Sequence, residues 1–185
     1  LDGRVTYPGP LTLTDGRLLM RLPEDGDVAA ITRACQDAEL AHWVPVPVPY
    51  EESHARLFVA ERPARWQAED GEMTFAVTDA ETAELLAMVG LHAHDATMRE
   101  LGFWTAPWAR GRGVMTDAAR LACRFGFDVL HLQRIEWQAR VGNDASRRVA
   151  EKLGFRFEGT CRARLLHRGK RVDGWIGGLL PGELT

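Results

Sequence analysis

Paired cysteines, a basic excess and a long apolar run are all missing from this sequence, and each absence removes a class of protein. The three cysteines, Cys35, Cys123 and Cys161, are far apart and odd in number. They lack the paired spacing of a zinc site or a disulfide framework, which suits a reducing compartment. A formal net charge of −3 gives no general attraction to a phosphate backbone, so nucleic acid is not an expected partner. The longest apolar run, residues 85–91, is far too short to span a bilayer, and Leu1-Asp2-Gly3-Arg4 does not open a charged-then-apolar signal. The expectation is a soluble cytoplasmic protein without membrane contact. No repeat, low-complexity tract or linker interrupts the chain, so residues 1–185 are read as one domain, long enough to bury a proper core.

What is present alternates between the two periods of regular structure. Residues 18–22 read as a first strand ended by Pro23, with Asp27 as the cap of a helix carrying Val28, Ile31, Cys35 and Ala38 on its buried side. Pro45, Pro47 and Pro49 make residues 44–50 an extended connector. A helix over 51–68 follows, with Pro63 as a possible kink site. Residues 73–78, 85–92 and 100–105 read as strands whose middle is apolar on both faces. Ala118, Leu121, Ala122, Phe125 and Val129 mark an amphipathic helix with Asp117, Arg120, Arg124 and Asp128 on its wet side. Ile135, Trp137 and Ala139 alternate as a strand, a short helix starts near Asn143 and stops at Gly154, and residues 155–166 and 172–180 pair as a hairpin.

Between the strand at 100–105 and the amphipathic helix stands Pro107-Trp108-Ala109-Arg110-Gly111-Arg112-Gly113-Val114-Met115. A strand, a glycine-rich turn and a helix start can aim several backbone amides at one anion. Glycine at 111 and 113 permits backbone angles and a close phosphate approach that a side chain would block, while Arg110 and Arg112 add positive charge. The Gly-Lys-Ser/Thr ending of a triphosphate loop is absent, and so is the third glycine of a dinucleotide fingerprint. Residue types alone leave a plain structural turn and an anion site both open.

The run from Leu101 to Ala118 resembles the acyl-CoA motif of the GNAT superfamily: an Arg or Gln, two residues, Gly, one residue, then Gly or Ala. Arg110 and Gly113 match it, and Met115 takes the last small position. Asn143-Asp144-Ala145-Ser146, continuing to Lys152-Leu153-Gly154-Phe155, is similar to the Asn-x-x-Ser…Lys-Leu-Gly-Phe signature of the branch that acetylates ribosomal-protein N-termini. Both motifs fall in family order and spacing. The resemblance covers residues 18–180, the N-terminal third in layout only. It implies an α+β GNAT fold, with a central mostly antiparallel mixed sheet of about seven strands splayed at strands four and five, and about four flanking helices. It implies transfer of acetyl from acetyl-CoA to a primary amine such as a protein or peptide N-terminus, by direct attack in a ternary complex without a metal. A small amine or antibiotic as acceptor, a larger acyl group, and a non-catalytic acyl-CoA-binding regulatory domain are the alternatives.

The same resemblance distributes roles. Backbone amides at Phe103, Trp104 and Thr105 would hold the thioester carbonyl, Arg110, Gly111, Arg112, Gly113, Val114 and Met115 the pyrophosphate, and Asn143 the pantetheine arm. Ser146 would be the acid toward the departing thiolate, or else a polar first-turn residue; Ala150 stands where many GNAT enzymes carry a tyrosine. Glu100 shares a strand face with Gly102 and Trp104 and is the preferred base, through water, against the reading of a solvated strand-end charge. His92 and His94 share a face with Met88 and could deprotonate an amine or touch the acceptor; two histidines without a third ligand do not make a metal site. Trp43, Trp66 and Trp175 could line an acceptor pocket or belong to the core, and His92 and Trp43 are the substrate-binding choices. Cys123 has no visible activating partner, so core is preferred over an acyl-cysteine. Trp175, Ile176, Leu179 and Leu180 suit a homodimer contact or the core.

Overall fold

A computed structural model describes residues 11–67 and 71–185; Leu1-Asp2-Gly3-Arg4 and the expected helix end at Ala68 lie outside them. Among the described residues eight strands form one sheet: β1 (Leu13–Thr14), β2 (Leu18–Arg21), β3 (Met73–Asp79), β4 (Leu85–Ala93), β5 (Met98–Thr105), β6 (Arg134–Arg140), β7 (Arg156–His167) and β8 (Lys170–Leu179). Their order is β1-β2-β3-β4-β5-β6-β8-β7, and only β5 and β6 run parallel. Five helices accompany them: α1 (Val28–Cys35), α2 (Ala38–Trp43), α3 (Glu52–Gln67), α4 (Val114–Asp128) and α5 (Asp144–Lys152).

The sheet therefore has one strand more than expected, because β1 is two residues long and leaves no periodic signal. There is also one helix more. The stretch read as a single helix through Ala38 breaks after Cys35, and Asp37 starts a new one by accepting the Leu40 N–H at 2.8 Å. Asp27 does not cap α1 with its side chain. It closes the preceding single turn instead, accepting the Glu24 N–H at 2.9 Å and gripped by Arg21 at 2.7 and 3.0 Å. Val129 is the cap at the end of α4 and is 40% exposed, so it is not on the apolar stripe.

The core is centred on β3 and β4, whose consecutive residues are buried and hence covered on both faces. Ala118, Ala122 and Phe125 of α4 supply part of that cover, with the Phe125 ring 5.9 Å from Phe75. Residues 44–50 form a connector without helix or strand, but it is not extended throughout: it bends at Val44, Val48 and Pro49, and the Val46 N–H donates back to the Val44 carbonyl at 2.8 Å. The β7–β8 turn places Arg168 and Gly169 both at positive φ, the geometry that matches the twist of a two-residue hairpin. After β8 the chain returns to α5: Thr185 N–H and Oγ1 donate to the carbonyls of Leu153 and Lys152, and Arg120 of α4 donates to the Thr185 carbonyl. No helix among the described residues is long and apolar enough to cross a membrane.

Candidate active site

The parallel ladder between β5 and β6 is short: Met98, Arg99 and Glu100 pair with Arg134, Ile135 and Glu136. Beyond it the strands part, β5 staying with β4 through Thr105 while β6 follows β8 to Arg140. The main chain of 101–105 on the β6 side therefore faces a gap, where its polar groups need water or a ligand. A cleft of about 1090 Å³ opens there, and Phe103, Trp104 and Thr105 line it. With β1 counted, the splay falls between the fifth and sixth strands, which are the fourth and fifth of the expected sheet.

Beyond β5 the glycine-rich turn rounds the cleft into α4. Gly111 and Gly113 adopt φ of +73° and +75°. An added Cβ would meet nothing within 4 Å at Gly111, and only Asp117 Oδ2 at 3.9 Å at Gly113. The glycines thus answer a backbone requirement and leave open space before the first turn of α4, whose start has no side-chain cap. Val114 and Met115 bury their side chains in the core, so what they can offer an anion is main-chain N–H. Met115 fills a position where the motif has a small residue by turning inward. Arg110 is committed elsewhere: its guanidinium meets Asp37 Oδ1 at 2.5 Å and Glu39 Oε2 at 2.9 Å, clamping the turn to the start of α2. Arg112 is exposed and does not line the cleft.

Opposite the turn, Asn143 caps α5, its Oδ1 accepting the Ser146 N–H at 3.1 Å. Ser146 Oγ accepts the indole N–H of buried Trp137 at 2.9 Å, which fixes the oxygen and leaves its own hydrogen free for the cleft. Glu100, Asn143 and Ser146 line one cleft. Glu100 Oε2 accepts from Gln138 Nε2 at 3.0 Å and lies 3.4 Å from His94 Nε2.

His92 faces Glu100 across the β4–β5 ladder, and its imidazole lies over Gly90 and Gly102; a Cβ on Gly102 would come within 2.6 Å of His92 Nε2. The two glycines are what admit the ring. His92 Nδ1 is 3.5 Å from Glu72 Oε1. Burial works against the Glu72 charge, but the Thr74 hydroxyl, His92, Arg62 and Arg65 together hold its carboxyl below the usual range. Glu72, Trp137 and Gln138 escaped the sequence reading because their roles depend on strand register. The paired Gly90 and Gly102 were the available signal.

Of Trp43, Trp66 and Trp175, only Trp43 lines the cleft. Trp66 donates to the Thr74 carbonyl and packs on Phe75, and Trp175 packs against the core beneath Arg147. Burial pushes the Cys123 thiol up to about 12, which removes it as a nucleophile near neutral pH. Leu179 is fully buried, whereas Leu180 is 44% exposed.

A splayed sheet with an amide-lined turn on one lip and a capped serine on the other defines an acyltransferase of GNAT type. The family model of the acetyltransferase (GNAT) domain matches residues 17–156, and the chain belongs to that family as a GNAT-family N-acetyltransferase. Over 91 residues it is 38% identical to the Bacillus subtilis (strain 168) protein named "Putative ribosomal N-acetyltransferase YdaF". That match covers 48% of this chain and about half the length of the relative, 50%. Among solved structures, the GNAT-family acetyltransferase of Bacillus anthracis superposes with a TM-score of 0.82 at 25% identity, covering 92% of this chain and 98% of that one. Mycobacterium smegmatis RimJ, solved in complex with CoA-disulfide, gives 0.80 at 24% identity over 95% and 87% of the two chains.

Proposed function

We propose that the protein transfers acetyl from acetyl-CoA to a primary amine, first of all a peptide or protein N-terminus, by direct attack in a ternary complex. The observation that carries this reading is the gap where the β5–β6 ladder stops at Glu100, with Ser146 on its far side. Main-chain groups of Phe103, Trp104 and Thr105 take the thioester carbonyl, where fixed donors are worth most. N–H groups from Gly111 to Met115 take the pyrophosphate, and Asn143 takes the pantetheine arm. Arg110 acts by clamping the turn.

The amine enters past Trp43 and His92. Its nitrogen gives a proton, through water, to Glu100, which keeps Oε1 free while Oε2 holds Gln138. The C–N bond forms, the C–S bond breaks, and Ser146 gives its hydroxyl proton to the sulfur and regains one from solvent. The Trp137 N–H donated to Ser146 Oγ steadies the charge that this transfer leaves on oxygen. The ribosomal name of one relative puts ribosomal-protein N-termini first among acceptors to test. Free-thiol release from acetyl-CoA is measured across N-terminal peptides and small amines. Release that depends on an added N-terminal amine supports the reading; saturable acetyl-CoA binding with no release for any amine overturns it.

A further inference from the structure

The end of the cleft beside α2 holds positive charge that the transfer chemistry does not use. Arg140, the last residue of β6, donates to the His42 carbonyl and places its guanidinium carbon 4.7 Å from the Trp43 ring centre. Arg168, in the β7–β8 turn, donates to the neighbouring Ala41 carbonyl at 2.8 Å. His167 is next to it; burial, then Arg140, Arg168 and His42, hold its imidazole below the usual range. Elsewhere along the cleft Arg62 and Arg65 pair with Glu72, and Arg110 with Asp37 and Glu39, while Arg148 on α5 lines the cleft beside Ser146 without a carboxylate partner among the described residues. Among the described residues neither Arg140 nor Arg168 has a carboxylate within 4.0 Å, and Arg140 Nε is buried with no hydrogen-bond partner.

Closing the last carbonyls of α2 accounts for one nitrogen of each guanidinium. It does not account for bringing a second like charge alongside, which is unfavourable without an anion. Trp43, Arg140 and His167 line the same cleft as Glu100 and Ser146; Arg168, next to His167, is exposed and stands outside that lining. We infer that Arg140 and Arg168 bind a carboxylate of the acceptor, so that the preferred amines carry an acidic group close to the reacting nitrogen. The planar fork of arginine fits a carboxylate, whose charge would offset the two like charges brought together there. A polycationic amine meets the reverse: two unneutralised arginines, with Glu61 and Glu72 already paired to Arg65 and Arg62. The carboxylate can come from an aspartate or glutamate near a peptide N-terminus, or from the α-carboxylate of a free amino acid. This inference rests on the transferase reading above.

The test compares kcat/KM for peptides of one length that differ only in Asp, Asn or Lys at the second and third positions, together with free amino acids and a polyamine. The wild-type protein is expected to favour the acidic peptide over the neutral one by about tenfold or more, and the lysine peptide least. Preference for free amino acids over every peptide assigns the site to an α-carboxylate instead. Arg140→Met and the exposed-turn variant Arg168→Gln each reduce the acidic preference to about threefold or less by raising acceptor KM, with acetyl-CoA Kd measured without acceptor unchanged. Should Arg140→Met fail to fold, Arg168→Gln carries the comparison. Turnover without acidic preference, a preference kept in Arg168→Gln, or an effect confined to acetyl-CoA KM overturns the inference alone. Bound acetyl-CoA with no turnover on any acceptor overturns the transferase reading, and this inference with it.

Discussion

At the scale of single residues, Ser146 accepts the Trp137 indole N–H, and the proposed mechanism also makes it the acid toward the departing sulfur. Ser146→Ala removes both. It is expected to lower kcat by about ten- to a hundredfold, and to cost about 1–3 kcal/mol because a buried N–H loses its partner. Ser146→Thr restores the bond and much of the rate; steady-state kinetics and urea unfolding of the two variants check this, and an unchanged kcat in Ser146→Ala removes the acid role. Gly113→Ala separates donor binding from folding in another way. Its Cβ meets open space, so the fold loses only the left-handed backbone penalty of about 1–2 kcal/mol. The KM for acetyl-CoA should rise by about tenfold or more as the phosphate approach is blocked. An unchanged KM would mean that the turn does not hold phosphate. These positions were legible in the sequence because their requirements are local: a glycine where φ is positive, an asparagine and serine at a helix start. The committed side chain of Arg110 was not, because its partners stand more than seventy residues earlier.

At the scale of elements, α2 and the end of α5 show how short segments are held. Burial disfavours the charge of Asp37, yet its bonds to Arg110 and to the Leu40 N–H keep its carboxyl below the usual range. A carboxyl depressed on folding adds stability that is present above its unfolded value and is lost as pH falls through the folded one. Amide exchange across residues 38–43, corrected for intrinsic rates, should therefore accelerate relative to α4 as pH is lowered from about 6 to about 3. Equal acceleration in both helices would rule out a dominant role for the Asp37–Arg110 clamp. At the other end, Gly154 has φ of +93° and lies against the Glu183 carbonyl where a Cβ would go. Gly154→Ala should cost more than the backbone penalty of about 1–2 kcal/mol, since the 181–185 segment must also move; chemical denaturation measures it. The long elements could be read from periodicity. The break at Gln36-Asp37 and the two-residue β1 could not, because neither interrupts the apolar pattern by as much as a turn.

Across the whole molecule, the site is made by pairing that stops. β5 and β6 leave each other after Glu100, and acetyl-CoA in that gap would join strands that share no further hydrogen bonds. Saturating acetyl-CoA is expected to stabilise the protein by about 2.7 kcal/mol at a hundredfold excess over its Kd. The gain should be concentrated as slower exchange over 101–105 and 137–140, and protection confined to the exterior of α4 would place the donor elsewhere. Two motifs point to the proposed donor half of this cleft. The proposed acceptor half draws on α2, the end of β6 and the tip of the β7–β8 hairpin, three segments whose meeting no local pattern announces.

Those six residues of α2 reach from one lip of the splay to the other, with Arg110 fastened at the first turn and Arg140 and Arg168 at the last. A crossbar fixed at both ends is a physical link between the two lips, and the proposal it suggests is that acetyl-CoA and acceptor bind with mutual effect. Whatever factor acetyl-CoA applies to acceptor affinity, the acceptor must apply to acetyl-CoA. Releasing either end of the bar should make the two substrates bind as strangers.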